Sequence, residues 1–335
     1  MFVLESYAVA VLFCVITMLC WGSWANTQKL AGKRWRFELF YWDYVLGVLL
    51  MALVLAFTLG SHGSVGRGFL EDLRQAQGEN ILSALLGGVV FNAANILLVA
   101  AIAISGMAVA FPVGIGLALV LGVLINYVGS DHPGNPTLLF LGVGLVMGAI
   151  ILDALAYRKL PGQGQGGGAK GLVLSVLCGV LMSLFYFLVA RSIGKLEAGT
   201  LQAGKLTAFS ANVIFAVGIL LSNFVFNTAI MLRPFVGTPL SLVEYFRGRS
   251  SDHLWGVVGG CIWGVGMGLN IVAANVASPA VAYGLGQGAT LVAAIWGVFV
   301  WREFRTAPPG TNRLLALMFL LYVLGLGLVI AARLN

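Results

Sequence analysis

Ten apolar stretches of membrane-spanning length divide this chain of 335 residues. A helix needs about 20 apolar residues to cross a bilayer core of roughly 30 Å, and unbroken runs of this kind satisfy their backbone groups in lipid only as helices. The chain is 60% hydrophobic and 9% charged, whereas a soluble domain is about a quarter charged. The sequence therefore predicts an all-α integral membrane protein. The predicted helices lie near 7–28, 39–60, 81–104, 107–128, 137–157, 171–191, 207–230, 254–275, 279–301 and 312–333.

The chain also contains an internal repeat. Segment 87–127 aligns without a gap on 259–299, with Gly88 matching Gly260. A glycine-rich segment at 158–170 has the composition of a flexible cytosolic linker. It separates two predicted five-helix repeats, 1–157 and 171–335. Because five is odd, the second repeat must enter the membrane in the opposite sense, so we expect a five-plus-five inverted-topology repeat. The equivalent junctions at Ser105-Gly106 and Ser278-Pro279 should form tight helical hairpins.

Lys and Arg are distributed unevenly between the predicted loops. With the N-terminus outside, the inner loops hold thirteen of the nineteen. The outer side holds the other six, namely Arg67, Arg74, Arg191, Lys195, Lys205 and Arg333. Inner loops of membrane proteins carry an excess of basic residues. The pattern therefore predicts a multi-pass protein of the plasma (inner) membrane with both termini outside. It explains the net charge of +7 by topology and not by nucleic-acid binding.

Polar and aromatic side chains recur at helical spacing inside the predicted spans. Aromatic rings supply stacking surface and amides supply donor–acceptor pairs, which a planar polar ligand requires. Hydrogen bonding between helices explains any single one of these residues equally well, and Trp24 also suits a membrane-interface belt. The candidate substrate-binding residues are Trp24, Asn92, Asn95, Tyr186, Trp263, Asn270, Tyr283, Gln287 and Thr290.

Charged side chains lie near the ends of the predicted spans. A charge at the bilayer centre costs at least about 2.5 kcal/mol, so a cavity in this chain suits a neutral hydrogen-bonding solute. If protons drive transport, a carboxylate must change its charge, and Glu5 and Asp43 begin the first two spans. An ion pair of Asp43 with Arg34 or Arg36 is the simpler interpretation. Four cysteines inside spans and three histidines in predicted loops lack metal-ligand spacing, so no metal or cofactor is predicted.

A series of short motifs resembles the ureide permease family, within the drug/metabolite transporter superfamily. The similarity spans nearly the whole chain, although each motif alone is short. The motifs are Met1-Phe-Val-Leu-Glu5-Ser6, Gly22-Ser-Trp24, Tyr41-x-Asp43-Tyr44, Asn126-Tyr127 with Asp131 and Asn135, Gly266-x-Gly268-x-Asn270, and Gln287 with Trp296-Gly297-Val298 and Glu303. The resemblance implies a ten-helix, five-plus-five carrier with both termini outside, which moves ureides and nucleobases such as allantoin and uracil with protons. Plant members have a much longer central loop, so nucleotide-linked regulation through that loop has no support here.

These observations favour a secondary active transporter that imports small neutral polar metabolites. Its expected partners are the solute, protons and the lipid bilayer, and a homodimer is left open. A monosaccharide symporter of the glucose, ribose or rhamnose type and an exporter of amphipathic drugs or metabolites are the alternatives. An enzyme is disfavoured because the spans contain no acid–base pair and no nucleophile with a partner.

Overall fold

A computed structural model describes residues 1–32, 34–63, 65–130, 134–160, 168–197 and 200–334. Within these ranges, ten helices are long and apolar enough to cross a membrane, which confirms the predicted all-α membrane architecture. We number them TM1 to TM10 along the chain. They run Tyr7–Ala31, Phe37–Phe57, Gly78–Ser105, Phe111–Val128, Pro136–Arg158, Ala169–Ala190, Ala208–Leu232, Ser250–Ala277, Pro279–Val300 and Thr311–Ala331. The central part of the predicted linker, 161–167, lies outside the described residues.

Two spans in each half are joined by a single non-helical residue. Gly106 (φ 72°, ψ 167°) lies between the end of TM3 at Ser105 and a helical turn, Met107–Ala110, that leads into TM4. Ser278 (φ 78°, ψ 151°) lies between the end of TM8 at Ala277 and TM9, which begins at Pro279. Both tight hairpins were predicted from the sequence and are confirmed. The two connecting residues have nearly the same backbone conformation, in a region of positive φ that favours glycine.

We expect Gly106→Ala to lower the free energy of unfolding by about 1 to 2 kcal/mol, because a Cβ is strained at this positive φ. The measurement is the melting temperature of the detergent-solubilised protein. Gly78→Ala is the matched control, since Gly78 has no positive φ and a Cβ there would contact nothing within 4 Å. Equal melting temperatures for the two variants would contradict the strain argument.

Three spans depart from a regular α-helix. TM1 is interrupted at Trp24, between the segments Tyr7–Ser23 and Ala25–Ala31. TM9 ends in a π-helical segment, Trp296–Val300, and the π-helical segment Phe111–Ile115 lies at the start of TM4. Such segments are uncommon and often lie at functional sites.

The helices pack in a specific set of pairs. TM3 packs against TM6 and TM7, whereas TM8 packs against TM1 and TM2. TM5 and TM10 pack against each other. Glycines allow the closest approaches: a Cβ at Gly88 would overlap the carbonyl oxygen of Phe215 in TM7, and one at Gly260 would overlap that of Tyr44 in TM2. The backbones of these helices are therefore in direct contact, as small residues permit in lipid.

Both ends of the described chain lie at the same end of the bundle, which we call the termini face. The Tyr7 hydroxyl donates to the carbonyl of Ile330 (2.6 Å), and the amide of Asn135 donates to that of Ala332 (2.7 Å). An even number of spans requires this arrangement. A short antiparallel hairpin, Leu196–Glu197 with Thr200–Leu201, also stands on this face, and the hydropathy pattern gave no sign of it.

A buried ion pair fixes the loops of the termini face. Arg67 contacts Asp72 at 3.0 Å between Nε and Oδ1, and the Asp72 side chain is fully buried. The same guanidinium donates to the carbonyls of Leu201, Gln202 and Lys205 at 2.9 to 3.1 Å. One arginine therefore ties the loop between TM2 and TM3 to the loop between TM6 and TM7.

Candidate substrate site

A cavity of about 680 Å³ opens on the termini face, and its volume lies within the range of small-molecule sites. Its rim is formed by residues 1–5, the loop between TM6 and TM7, and Arg333. Its deep wall is formed by the ends of TM4, TM6 and TM8, which contribute Asn126, Tyr186 and Ile271. The cavity therefore lies between helices from both halves of the chain.

Tyr186 forms the floor of this cavity and connects four spans. Its hydroxyl donates to the backbone carbonyl of Asn270 at 3.4 Å, and its ring centroid lies 5.2 Å from that of Tyr283. The Tyr283 hydroxyl lies within donating distance of the carbonyls of Ala118 and Met182, at 3.1 and 3.2 Å. The structure thus brings three predicted site residues, Tyr186, Asn270 and Tyr283, into one group on TM6, TM8 and TM9.

Beneath the floor is a set of packed rings that we call the aromatic layer. It consists of Trp21, Tyr44, Phe91, Phe185, Phe215 and Trp263. Trp263 lies at its centre, with its ring centroid 5.5 Å from Trp21 and 4.6 Å from Phe91. Trp24 packs against its edge, 4.7 Å from Tyr44. The layer separates the cavity from the opposite face of the bundle, so Trp24 and Trp263 lie below the cavity and not on its wall.

The remaining predicted substrate residues also lie away from the cavity wall. Asn92 donates to the Ser222 hydroxyl at 2.9 Å, and Asn95 donates to the Tyr41 hydroxyl at 3.0 Å. Both are hydrogen bonds between helices, which is the structural role that the sequence analysis left open for any single amide. Gln287 and Thr290 follow Tyr283 along TM9, where the Thr290 hydroxyl donates to the Gln287 carbonyl at 2.9 Å. Their part in substrate binding stays a prediction.

The cavity wall includes polar residues that the spacing argument did not select. Asn126 and Ser130 end TM4, Asn275 and Ser278 end TM8, and Thr207 precedes TM7. Asn126 belongs to a motif of the family resemblance but not to the helical spacing pattern. The one feature of the sequence that these residues share is their position within about a turn of a span end. Polar residues are common there because the apolar pattern stops, so this position does not by itself indicate a binding role.

Asp43, a predicted proton-coupling residue, does not pair with Arg34 or Arg36, so the simpler interpretation was wrong. Its carboxylate accepts a hydrogen bond from the Tyr245 hydroxyl at 2.7 Å. The two carboxylate oxygens also lie 2.9 and 3.0 Å from Nδ1 of His253. Arg36 instead pairs with Glu38 at 2.5 Å.

His253 also lies in the first turn of TM8 and not in a loop as predicted. TM8 begins at Ser250, four residues before the apolar run, because Asp252 accepts a hydrogen bond from the backbone N–H of Arg249 (3.2 Å) and caps the helix. This additional turn brings the imidazole of His253 to Asp43 of TM2. Partial burial and the hydrogen bond to Asp43 raise the pKa of the Tyr245 phenol, so this donor stays protonated at neutral pH.

Glu5, the other predicted proton-coupling residue, is exposed on the rim of the cavity. The two carboxylates therefore lie at opposite ends of the bundle. Asp43 is buried, with 4% of its side chain exposed, whereas Glu5 is in contact with solvent.

The face opposite the termini is closed by contacts between TM1 and the end of TM9. Lys29 pairs with Glu303 at 2.7 Å, and the indole of Trp296 donates to the Ser23 hydroxyl at 2.8 Å. TM1 and TM9 belong to different halves of the chain. The cavity of the termini face and these contacts between the two halves therefore lie at opposite ends of the bundle.

A ten-span bundle with a ligand-sized cavity at the meeting of its two halves has the form of a multi-pass membrane transporter. The family comparison agrees, because the chain matches the ureide permease family over residues 40–160 and 168–332. The chain belongs to this family, and its relatives are named permeases, which indicates a transporter.

Curated relatives cover the whole length of the chain. Ureide permease 4 of Arabidopsis thaliana is 24% identical over 400 residues, covering 99% of both proteins, and Ureide permease 1 of the same plant is 23% identical with the same coverage. A solved protein described only as "Crystal structure of protein" superimposes with a TM-score of 0.62 at 16% identity, over 98% of this chain and 99% of that one. That likeness shows a shared fold alone.

Proposed function

We propose that this protein is a proton-coupled secondary active transporter that imports small neutral polar metabolites of the ureide and nucleobase class, such as allantoin or uracil. The observation that carries the proposal is the cavity on the termini face, which ends on Tyr186 and Asn126 and is closed beneath by the aromatic layer. Phenol and amide groups at the end of a cavity suit a planar ligand with N–H and C=O groups. The names of the relatives support a ureide.

The charges around the cavity favour a neutral cargo. Charged lining residues lie on the rim: Glu5, Arg191, Lys195, Lys205 and Arg333. Among the described lining residues, those of the deep wall are uncharged, as Asn126, Tyr186 and Ile271 show. A fixed charge at that depth would be expensive in lipid and would favour an ionic ligand.

Matching helix crossings support an inverted repeat of two five-span halves. TM3 crosses TM7 where Gly88 meets the Phe215 carbonyl, and TM8 crosses TM2 where Gly260 meets the Tyr44 carbonyl. Gly260 follows Gly88 by 172 positions, and Phe215 follows Tyr44 by 171. An exchange of the two halves therefore turns one crossing into the other, in agreement with the sequence repeat.

The contact between TM5 and TM10 also supports a two-fold relation. A Cβ at Gly142 would lie 2.6 Å from the Gly325 carbonyl oxygen, and a Cβ at Gly325 would lie 2.8 Å from that of Gly142. TM5 thus makes the same contact with TM10 that TM10 makes with TM5. Such a reciprocal contact is expected where a two-fold axis passes between the two helices. This five-plus-five arrangement is the one we attribute to the drug/metabolite transporter superfamily, in which we place the family.

Alternating access of the two halves is the mechanism that fits these contacts. With both termini outside the plasma membrane, as the excess of basic residues on the opposite face favours, the cavity faces the exterior and the pairs Lys29–Glu303 and Trp296–Ser23 close the interior side. Import then requires that the interior contacts separate while the walls of the cavity come together.

Uptake by purified protein in liposomes tests the proposal. Radiolabelled uracil or allantoin should accumulate above its equilibrium level when the outside is made acidic, and each should inhibit uptake of the other. Protein-free liposomes and liposomes without the pH gradient are the controls. Saturable uptake of radiolabelled glucose that uracil does not inhibit would contradict the proposal and support a monosaccharide carrier.

A further inference from the structure

Asn126 has an unpaired oxygen on the wall of the cavity. The residue is 1% exposed, and its Nδ2 donates to the Gly122 carbonyl one turn earlier in TM4 at 2.8 Å. Its Oδ1 is buried and has no hydrogen-bond partner among the described residues. A buried acceptor without a donor is costly, and donors are normally provided for it. A ligand in the cavity would supply one.

Asn270 provides a second unpaired oxygen from the other half of the chain. It is fully buried in TM8, and its Nδ2 donates to the Ala282 carbonyl at 3.0 Å. Its Oδ1 also lacks a partner within the described structure. Asn270 does not line the cavity, and the hydroxyl of Tyr186, which forms the floor of the cavity, donates to its backbone carbonyl.

The rings of Tyr283 and Tyr186 connect the two amides. Tyr283 packs directly on Gly122, where a Cβ would overlap its ring. Gly122 accepts the Asn126 amide, and the Tyr283 ring centroid is 5.2 Å from that of Tyr186, which bonds to Asn270. The two tyrosine rings therefore connect Asn126, on the cavity wall, with Asn270, which does not line the cavity.

We propose that Asn126 is a residue that determines specificity, and that its side-chain oxygen accepts a hydrogen bond from a ring N–H group of the substrate. This inference rests on the proposed function and narrows it to heterocycles that carry N–H groups beside carbonyls, as ureides and imides do. Such a site rejects N-methylated analogues, because methylation removes the donor and leaves the buried oxygen unpaired. The ring of Tyr186, which lines the cavity, supplies the stacking surface on which the planar ligand lies.

Unpaired amide oxygens also occur on Asn92, Asn223 and Asn227. These three residues, like Asn270, line neither the cavity of the termini face nor a smaller cavity that is bounded by Phe37, Ile96 and Phe235. Asn126 is distinguished by its position on an open cavity, where a solute can reach it. Asn223, whose two amide atoms both lack a partner, is therefore a matched control for the loss of a buried amide.

Three pyrimidines separate hydrogen bonding from size in the purified, reconstituted protein. Uracil has both ring N–H groups, 5-methyluracil keeps them and adds a methyl group, and 1,3-dimethyluracil has lost both. We expect 5-methyluracil to inhibit radiolabelled uracil uptake within a few-fold of uracil itself, and 1,3-dimethyluracil to inhibit at least about tenfold more weakly, the factor that one lost hydrogen bond implies. Inhibition by 1,3-dimethyluracil equal to that by uracil would overturn the inference and leave the proposed function standing.

Variants test whether Asn126 causes the preference for uracil over 1,3-dimethyluracil. Asn126→Leu, which removes the acceptor at similar volume, should weaken inhibition by uracil but not by 1,3-dimethyluracil, so that the difference between them narrows. Asn126→Gln keeps a neutral amide acceptor and should retain the preference, and Asn223→Leu should leave it unchanged. An undiminished preference in folded Asn126→Leu, as judged by its melting temperature, would overturn the assignment. Absence of any uracil uptake or binding by the folded wild-type protein would instead refute the proposed function.

Discussion

Gly260→Ala and Gly88→Ala will each lower the free energy of unfolding by at least about 3 kcal/mol, the upper end of the usual cost of overpacking. At both positions the added methyl group would overlap a backbone carbonyl oxygen of the facing helix, that of Tyr44 or Phe215. A side chain can rotate away from such a contact, whereas a backbone carbonyl moves only if the helix moves. The two helices must therefore separate along their whole crossing, which also weakens the packing of their neighbours.

The melting temperature and the yield of monodisperse protein after detergent extraction measure this effect. Gly144→Ala and Gly327→Ala are the matched controls, because both glycines lie within spans and a Cβ at either contacts nothing within 4 Å. These two variants should match or slightly exceed the wild type, since alanine favours a helix. If the melting temperature of Gly260→Ala equalled that of the controls, TM2 and TM8 could not approach each other as closely as described.

Much of the fold follows from the sequence because the bilayer restricts the possible structures. A span must be helical, apolar and about 20 residues long, so ten runs of that length predict ten helices. The sequence repeat also aligned Gly88 with Gly260, and each of these glycines lies where two helices approach closely. The start of TM8 was missed because its first turn, from Ser250, is polar and is held by a capping carboxylate, Asp252, which hydropathy does not register.

The candidate site was less predictable, since helical spacing shows which residues share a face but not what covers that face. Tyr186 and Trp263 both suited a ligand site by residue type, yet Tyr186 lines the cavity and Trp263 lies in the aromatic layer. Asn92 and Asn126 are both buried amides, and only the packing of the other spans places Asn126 on the cavity. Whether such a residue lines the cavity depends on its depth along the bundle and on the contacts between the two halves.

The partner of Asp43 illustrates the same limit. His253 follows it by 210 positions, and Tyr245 by 202, so neither could be chosen from local sequence, whereas Arg34 and Arg36 were near at hand. Burial decides between these partners, because a carboxylate removed from water needs hydrogen-bond donors that are buried beside it. The first turn of TM8, packed against TM2, supplies His253, and the short helix Leu242–Phe246 before TM8 supplies Tyr245.

Asp43→Asn should abolish proton-driven accumulation of uracil while exchange of labelled for unlabelled uracil across the membrane continues. The carboxylate is buried between His253 and Tyr245, and no Lys or Arg of the described chain forms an ion pair with it. A proton bound there changes the charge of the group, whereas asparagine has the same shape and cannot bind one. A proton drives the conformational cycle only if the two states bind it with different affinity, and exchange at equal pH needs no such difference.

Two further carboxylates make this experiment decisive. Glu38→Gln alters an acid in the first turn of TM2 that pairs with Arg36, so it should retain accumulation and serves as the matched control. Glu5→Gln removes the carboxylate on the rim of the cavity, which is the other candidate for proton coupling. Accumulation that survives in Asp43→Asn but is lost in Glu5→Gln would move the coupling site to the termini face. Loss of both accumulation and exchange in folded Asp43→Asn would mean that Asp43 maintains the structure of the pathway, since a residue that only carries the proton is not needed for exchange.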